Sequence, residues 1–161
     1  MILDNDVINL NDIDYHCVSE IGSGGYGHVY HVKDTHNNYA VKIFLEKVMI
    51  ASIVEIDIMR RLRHPNILNL IDVCSVNDNT YFGLLMPLAI THLSKFTRSL
   101  TNKYPISIEL MHDVGLGLKC MHENNMLHLD MKPSNVLIFK DSDRYRARPR
   151  PASQPCRHQS L

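Results

Sequence analysis

A cluster of glycines lies between two β-rich runs near the start of the chain. The segment Gly22-Ser23-Gly24-Gly25-Tyr26-Gly27-His28-Val29 leads directly into the β-branched and aromatic run Tyr26 to Val32. Glycine permits tight turns and lets backbone N–H groups approach phosphate oxygens closely. Polar residues from Asp34 to Asn38 leave no room for a helix before the next run, Tyr39 to Phe44. The sequence from Tyr15 to Phe44 therefore predicts three antiparallel strands with a glycine hairpin between the first two.

Two kinds of phosphate site use glycines at this spacing. The dinucleotide fingerprint opens a helix whose N-terminus receives the pyrophosphate, and the strand that follows Gly27 excludes it. The pattern Gly-x-Gly-x-x-Gly-x-Val instead covers the phosphates of ATP. A glycine-rich hairpin without a ligand is the alternative when the loop is considered alone.

A lysine and a glutamate follow the glycine loop at informative positions. Ala40-Val41-Lys42 puts Lys42 on the third strand, facing inward beneath the glycines. Burying an unpaired ammonium group costs several kcal/mol, so Lys42 needs an anionic partner. Apolar residues at three- and four-residue spacings predict a helix from Met49 to Arg63, and Glu55 lies in its middle. Taken singly, a surface lysine and a solvated helix glutamate are the simpler interpretations.

The rest of the chain contains further strands and then a long helix, the order of elements expected of a protein with two lobes. The runs Leu68 to Val76 and Thr80 to Met86 form a hairpin that completes a five-stranded sheet. Helical spacing from Ile106 to Met121 predicts a helix of about five turns. A polar loop at residues 126–135 and a short strand, Val136 to Phe139, follow. Strands first and helices second predict an α+β fold.

The polar loop contains the strongest motif in the chain. It is the octet His128-Leu129-Asp130-Met131-Lys132-Pro133-Ser134-Asn135. A carboxylate can accept a proton from a hydroxyl, a lysine can neutralise a phosphoryl group, and an amide oxygen can hold a metal ion. A polar loop that only follows a helix is the alternative.

These motifs resemble those of the protein kinase family. The glycine loop, Ala40-Val41-Lys42, the helix around Glu55 and the run Leu62 to Ile67 are similar to its N-lobe, and the octet is similar to its catalytic loop H-R-D-L-K-P-x-N. The resemblance implies a five-stranded antiparallel N-lobe sheet with one helix, plus an incomplete helical C-lobe. The lysine two places after Asp130 points to Ser/Thr substrates.

The resemblance also implies the cofactors ATP and Mg²⁺ and a role for each motif residue. Lys42 would hold the α- and β-phosphates, Asp130 and Lys132 would be catalytic, and Asn135 would bind the metal ion. The residues that the resemblance assigns to cofactor binding are Ile21, Gly22, Ser23, Gly24, Gly25, Tyr26, Gly27, His28, Val29, Ala40, Lys42, Glu55, Met86, Leu88 and Leu137.

Within that set, the resemblance assigns finer roles. Glu55 would orient Lys42. Val29 and Ala40 would cover the adenine, with Leu137 beneath it. The segment Leu85-Met86-Pro87-Leu88-Ala89 would be the hinge, with Met86 as the gatekeeper.

Two departures from the family pattern affect catalysis and its control. Leu129 replaces the usual arginine, so control through pairing with a phosphorylated activation loop is not expected. No Asp-Phe-Gly follows Phe139, although the family places this segment within a short hairpin's length. The carboxylate that would bridge magnesium to the phosphates is therefore missing, and we expect impaired or absent activity.

The predicted organisation has three parts, and the last differs in composition. Residues 1–14 are an N-terminal extension, and residues 15–143 a kinase-like domain with an N-lobe at about 15–86, a hinge at about 87–91 and a partial C-lobe at about 92–143. Residues 140–161 hold six Lys/Arg against two Asp, a net charge of +4. We expect residues 144–161 to be a disordered Arg/Pro-rich tail produced by a frameshift or fusion.

The partial C-lobe raises the question of what covers its long helix. The apolar face at Leu110, Val114 and Leu118 would lose the helices that normally bury it. The tail has almost no apolar residues with which to replace them. A protein partner that covers this face is therefore one expectation, beside a protein substrate with a Ser or Thr hydroxyl.

Composition excludes several other classes. The four cysteines are far apart, the ten histidines lack metal-ligand spacing, and no apolar run approaches about 18 residues. We therefore expect reduced thiols, no metal site of protein ligands alone and no membrane span, in a soluble, non-secreted protein of the cytoplasm or nucleus. The arginine-rich tail lacks interleaved aromatic residues, so nucleic-acid binding is not expected.

Three functions stay open at this level. The first is a Ser/Thr protein kinase that transfers the γ-phosphate of ATP. The second is a non-catalytic, pseudokinase-like module that binds a nucleotide or a partner. The third is an inactive gene fragment.

Overall fold

The computed structural model describes residues 7–25, 27–44, 49–76, 81–99 and 104–151. The chain divides into two compact units. The first is formed by residues 1–56 and 70–88, and the second by residues 57–69 and 89–161.

The first unit contains an antiparallel sheet that closes into a barrel. Its strands are β1 (Val7–Leu10), β2 (Ile13–Gly24), β3 (Gly27–Lys33), β4 (Asn38–Ile43), β5 (Asp72–Val76) and β6 (Tyr81–Pro87). They follow one another around the barrel in the order β1-β2-β3-β4-β6-β5. Helix α1 (Met49–Arg61) follows β4. The α+β prediction and the strands predicted from Tyr15 onward are confirmed.

The strand number differs from the prediction, because β1 makes a sixth strand in a segment that we expected to be an N-terminal extension. Strand β1 pairs with β2 along its length, and Leu10 lies opposite Val76 of β5. Its alternation buries Ile8 and Leu10 in the barrel. The turn that follows has positive φ at Asn11 and Asp12, 50° and 65°, which these residue types tolerate better than most. A four-residue strand is too short to give a clear period in sequence.

The turn before β4 is fixed by one carboxylate. Asp34 accepts backbone N–H groups from His36 at 2.7 Å and Asn37 at 2.6 Å, and the Tyr39 hydroxyl at 3.0 Å. These hydrogen bonds, the one from His36 first, lower the pKa of Asp34. The carboxylate thus stays ionised and sets where β4 begins.

Apolar side chains from all six strands fill the barrel. The buried cluster consists of Ile8, Leu10, Tyr15, Tyr30, Val32, Val41, Ile43, Cys74, Val76 and Leu85. Inward positions alternate along each strand, as a sheet with one covered face requires.

The second unit combines a small sheet with two helices. Its elements are β7 (Thr91–His92), α2 (Leu93–Ser99), α3 (Tyr104–Glu123), a 3₁₀ turn (Pro133–Asn135), β8 (Val136–Asp141) and β9 (Arg144–Pro149). The sheet order is β7-β8-β9. The long helix is confirmed, whereas β7 and α2 were not predicted. Among the residues that the structure describes, no helix combines the length and apolar character needed to cross a membrane.

The disorder predicted from residue 144 is wrong for the first part of the tail. Strand β9 pairs with β8 from Asp141↔Arg144 to Val136↔Pro149. The buried carboxylate of Asp113 on α3, 1% exposed, accepts hydrogen bonds from Arg144 Nη2 at 2.9 Å and from the Ala147 N–H at 3.2 Å. Backbone hydrogen bonds to β8 and the ion pair between Arg144 and Asp113 order this segment, although its sequence lacks apolar periodicity. Residues 152–161 lie outside the described part of the chain.

The expectation that the apolar face of α3 would lack a cover is also wrong. Leu110 and Val114 are buried and Leu118 is half-buried against them. The side chains that complete this cluster come from α2, β8 and β9, and they are Leu93, Phe96, Val136, Ile138, Tyr145 and Ala147. Helix α2, strand β8 and the tail strand β9 therefore cover Leu110, Val114 and Leu118 within this chain.

Two glycines of α3 give a matched test of this packing. A Cβ at Gly117 would collide with the Asn66 carbonyl oxygen and lie 3.3 Å from the Pro149 ring, whereas a Cβ at Gly115 meets nothing within 4 Å. We expect Gly117→Ala to lower the free energy of unfolding by about 1–3 kcal/mol. Gly115→Ala should raise it by about 0.5–1 kcal/mol, because alanine favours the helix. Urea denaturation followed by circular dichroism measures both, and equal effects would contradict the packing of α3 described here.

Candidate functional site

The glycine loop is the hairpin between β2 and β3 of the first unit. Gly22 lies opposite Val29, Ser23 opposite His28 and Gly24 opposite Gly27. Gly27 has φ of 135°, and a Cβ there would collide with the Ile43 carbonyl oxygen, so only glycine fits. Tyr26 lies outside the described residues.

The hairpin carries one ion pair that the sequence did not suggest. His28 Nδ1 lies 3.1 Å from Glu20 Oε1, and the His28 ring stacks at 6.2 Å on Tyr30. Both charged side chains are about one-third exposed, so the pair is worth little when His28 is protonated and less when it is neutral. Ile21, which was also predicted to bind the nucleotide, is half-exposed.

Lys42 and Glu55 meet as an ion pair within the first unit. Lys42 Nζ on β4 donates to Glu55 Oε2 on α1 at 2.5 Å, and the two side chains are 19% and 16% exposed. Lys42 Nζ also lies 4.8 Å from the centroid of the Phe44 ring, a favourable cation–π distance. Partial burial strengthens the attraction and makes either charge costly to leave alone. The pair holds the ammonium group in one place, where it can meet an anion.

Three of the residues predicted to lie around the adenine, Val29, Ala40 and Met86, occupy neighbouring strands of the barrel. Ala40 on β4 lies opposite Met86 on β6, and both are buried. Val29 on β3 lies opposite Lys42. Leu88 follows the end of β6, and Leu137 lies on β8 of the second unit. Their roles toward adenine stay predictions.

The catalytic-loop motif forms a compact polar cluster in the second unit. Lys132 Nζ lies 2.9 Å from Asp130 Oδ2, and Asn135 Nδ2 donates to the same oxygen and to the Asp130 carbonyl, each at 2.8 Å. Asn135 is placed by the 3₁₀ turn, in which its N–H donates to the Lys132 carbonyl at 2.8 Å. The Asp130 side chain is 65% exposed. The three predicted residues are therefore together, with the carboxylate open to solvent.

These contacts tune the Asp130 carboxyl. The hydrogen bond from Lys132, and then the one from Asn135, lower the pKa of Asp130. The group is therefore an ionised acceptor at neutral pH, as a residue that orients or accepts a hydroxyl proton must be.

The residues before Asp130 shape the loop. His128 is 5% exposed, and neither of its ring nitrogens has a hydrogen-bond partner among the described residues. Leu129 has φ of 36° and is exposed. A bulky residue rarely adopts this backbone conformation, and here it turns the chain sharply so that the Asp130 N–H donates to the His128 carbonyl.

The described residues do not fit a magnesium site of the kind that the resemblance implies. Mg²⁺ prefers several oxygen ligands in octahedral geometry. Asn135 offers one amide oxygen, and Asp130 is held by Lys132 and Asn135. No group of three His, Cys, Asp or Glu side chains suited to a metal lies in the described parts of the chain. The hairpin that follows Asn135 instead brings arginines.

Those arginines are site residues that sequence reasoning missed. Arg150 donates through its N–H to the Asn135 carbonyl at 2.9 Å and through Nη2 to the Ser134 carbonyl at 3.2 Å. Arg148 lies opposite Leu137. The signal was present, because arginines at every second position from Arg144 to Arg150 place four cations on one side of a strand.

Comparison with known proteins gives a consistent set of similarities. Residues 15–146 match the family described as "Protein kinase domain". The chain is 31% identical over 144 residues to cyclin-dependent kinase 4 of Mus musculus, in a match that covers 77% of this chain and 47% of that relative. It is 34% identical over 138 residues to cell division control protein 2 homolog 1 of Trypanosoma brucei brucei, with 80% and 45% covered. Dual specificity protein kinase shkB of Dictyostelium discoideum is 30% identical over 140 residues, with 81% and 21% covered. The chain thus spans less than half the length of these relatives.

The cluster around Asp130 makes a direct prediction about its titration. Lys132→Met should raise the pKa of Asp130 toward the ordinary value of an aspartate, because the largest cause of the lowering is removed. Stabilisation from this ionised contact is present above the ordinary pKa and is lost as pH falls through the lowered one. Carboxyl ¹³C chemical shifts measured against pH give the value. Lys140→Met, an exposed lysine on β8, is the control, and an unchanged Asp130 titration in Lys132→Met would refute the assignment.

Proposed function

Because the chain belongs to the protein kinase family, we propose that its first unit binds ATP and that its loop around Asp130 has the residues for phosphoryl transfer to a protein Ser or Thr hydroxyl, with transfer impaired or absent in this chain. The observation that carries the proposal is the Lys42–Glu55 ion pair, at 2.5 Å and mostly buried. It is supported by the motifs on either side of it and by the family match over residues 15–146.

The nucleotide part of the proposal assigns phosphate contacts to two features of the first unit. Backbone N–H groups of the glycine hairpin from Gly22 to Gly27 approach the phosphates, and Lys42 supplies a fixed positive charge. Glu55 keeps the ammonium group in place and does not touch the nucleotide. Within the first unit, Val29, Ala40, Met86 and Leu88 supply apolar surface for the base.

The transfer part assigns the chemistry of the acceptor to the second unit. Asp130 orients the Ser or Thr hydroxyl and accepts its proton, which its lowered pKa allows at neutral pH. Lys132, 2.9 Å from Asp130, can turn its ammonium group toward the transferred phosphoryl group. Protein kinases as a class use ATP with Mg²⁺, and Asn135 is the residue of this chain that matches their metal-ligand position. A location in the cytoplasm or nucleus agrees with such substrates.

A second function is favoured by one observation. Arginines, and no Asp-Phe-Gly, follow β8, so the donor set described above lacks the carboxylate that the family uses to hold magnesium against the phosphates. A module that binds nucleotide without transferring phosphate needs the first unit and not that carboxylate. The two functions share the nucleotide site and differ in the rate of transfer.

Nucleotide binding is tested at Lys42. We expect Lys42→Ala to weaken the binding of a fluorescent ATP analogue by about 1.5–3 kcal/mol, the value of a charge-assisted contact. Lys33→Ala removes an exposed lysine from the neighbouring strand β3 and should leave the affinity unchanged. Fluorescence titration of both variants measures the difference. Equal affinities for the two variants would remove the phosphate role of Lys42 and with it the proposed function of the first unit.

Transfer is tested at Asp130. We expect incorporation of labelled phosphate into generic Ser/Thr protein substrates at the background rate, because the developing charge on the γ-phosphoryl group lacks its main stabiliser. Asp130→Asn should then change nothing measurable. Activity above background that this variant abolishes would instead assign catalysis to the chain and overturn the binding-module alternative.

A further inference from the structure

Three arginines alternate along strand β9, and their charges are not equally matched. Arg144 lies 2.9 Å from Asp113, and Arg146 lies 3.3 Å from Asp141 and 3.8 Å from Asp113. For Arg148, no acidic side chain lies within ion-pair distance among the residues that the structure describes. Strand β9 therefore carries one unmatched guanidinium group.

The surroundings of Arg148 make an unmatched charge costly. Its Cζ lies 4.6 Å from the centroid of the Phe139 ring, the residue is half-buried, and its Nε is buried without a hydrogen-bond partner in the described part of the chain. A cation that is partly withdrawn from water is stabilised by an anionic partner. A carboxylate fits well, since the planar guanidinium group can donate two parallel hydrogen bonds to its oxygens.

The side chain of Arg148 projects away from the apolar core of the second unit. Arg148 is paired with Leu137 across β9 and β8, and directly opposed residues project to the same side of a sheet. The adjacent pair, Ala147 and Ile138, projects to the other side, where both residues are buried in the cluster with α3. Arg148 therefore lies on the sheet face opposite that cluster.

The hairpin that carries Arg148 is joined to the loop that carries Asp130. The Arg150 N–H donates to the Asn135 carbonyl at 2.9 Å, and Asn135 Nδ2 donates to Asp130 Oδ2 at 2.8 Å. Phe139, which the Arg148 guanidinium group covers, is four residues beyond Asn135, a distance of about 13 Å at the rise of a strand. An extended peptide covers that distance in about four residues. A protein segment with a hydroxyl at Asp130 can therefore place a carboxylate at Arg148.

The charge balance favours a carboxylate over other anions. Lys132 already matches Asp130 at 2.9 Å, and of the β9 arginines only Arg148 is unmatched, so the strand offers a ligand one positive charge. A nucleic acid gains its affinity from several phosphate contacts at once. A phosphorylated residue carries nearly two negative charges. A single aspartate or glutamate side chain matches the charge of Arg148 most closely.

We propose that Arg148 binds an aspartate or glutamate side chain of the protein segment presented to Asp130, so that the second unit selects acidic segments around a Ser or Thr. The inference rests on the role that the proposed function gives to Asp130. It deepens that role, because it names the class of protein segment that the loop accepts. Both residues belong to the second unit, and the selection needs binding alone, with or without phosphoryl transfer.

The experiment compares two fluorescent peptides on the full 161-residue chain. One carries a serine with glutamates three to five residues away on both sides, and its matched control carries glutamines at those positions. Fluorescence anisotropy in low salt should give about five- to tenfold tighter binding of the glutamate peptide. Arg148→Met keeps an apolar side chain over Phe139 and should abolish the difference, whereas Arg148→Lys should keep part of it. Arg61→Met should leave it unchanged, because Arg61 is already paired with Asp57 at 2.9 Å.

Nuclear magnetic resonance of the unmodified chain locates the contact without any change to the fold. The glutamate peptide should shift the Arg148 Nε–Hε signal and the Asp130 carboxyl ¹³C signal, and it should leave the Arg61 Nε–Hε signal in place. The glutamine peptide should shift the Asp130 signal alone. A shift at Arg148 without one at Asp130 would place the acidic segment away from the acceptor hydroxyl and overturn the inference.

The remaining outcomes separate this inference from the proposed function. Equal affinity for the two peptides, or a preference for glutamate that Arg148→Met retains, overturns the role of Arg148 alone. Tenfold tighter binding of a phosphoserine peptide that also depends on Arg148 overturns the choice of a carboxylate. Absence of binding by both peptides overturns this inference together with the substrate role of the Asp130 loop, whereas the nucleotide test at Lys42 is decided independently.

Discussion

A charge withdrawn from water needs a partner, and two such pairs organise this chain. The carboxylate of Asp113, 1% exposed on α3, holds Arg144 and the Ala147 N–H of β9, so the last described strand is tied to the helix at the centre of the second unit. In the first unit Lys42 and Glu55 join β4 to α1 in the same way. Removal of one member of either pair leaves the other charge poorly solvated, a cost of several kcal/mol when burial is complete. These pairs therefore fix which elements meet, while apolar clusters supply most of the free energy of folding.

Much of the fold follows from local periodicity. The strands from Tyr15 to Phe44, helix α1 and helix α3 are each long enough to display a period of 2 or 3.6 residues. The Lys42–Glu55 contact also follows from sequence, because an inward lysine on a strand and a mid-helix glutamate have few other ways to satisfy their charges. The cluster of Asp130, Lys132 and Asn135 follows from a short loop in which residues two to five apart cannot lie far from one another. Strand β1 and helix α2 did not follow, since four and seven residues carry too little pattern.

The tail shows why composition alone misleads. An Arg/Pro-rich segment without apolar periodicity resembles a disordered one, yet β9 buries Ala147 and Pro149 against α3. What orders it is Asp113, 31 residues away from Arg144 in sequence, and no local window contains both. A useful signal was the alternation itself: arginine at every second position separates a charged face from one that carries Tyr145, Ala147 and Pro149. This is the two-residue period of a β-strand, with arginine at the positions that face away from the apolar side.

The same alternation bears on whether binding and transfer stay coupled in this chain. A metal ion between phosphates and protein contributes most where charge develops in the transition state. Arginines follow β8 where the family pattern has an aspartate, so the described donor set lacks the carboxylate that would hold such an ion. An interaction of equal strength in the ground state and the transition state increases affinity without increasing the rate of the chemical step. Loss of that carboxylate would therefore reduce the rate of transfer more than the affinity for the nucleotide, and Asp130 would stay ionised and exposed with little reaction to assist.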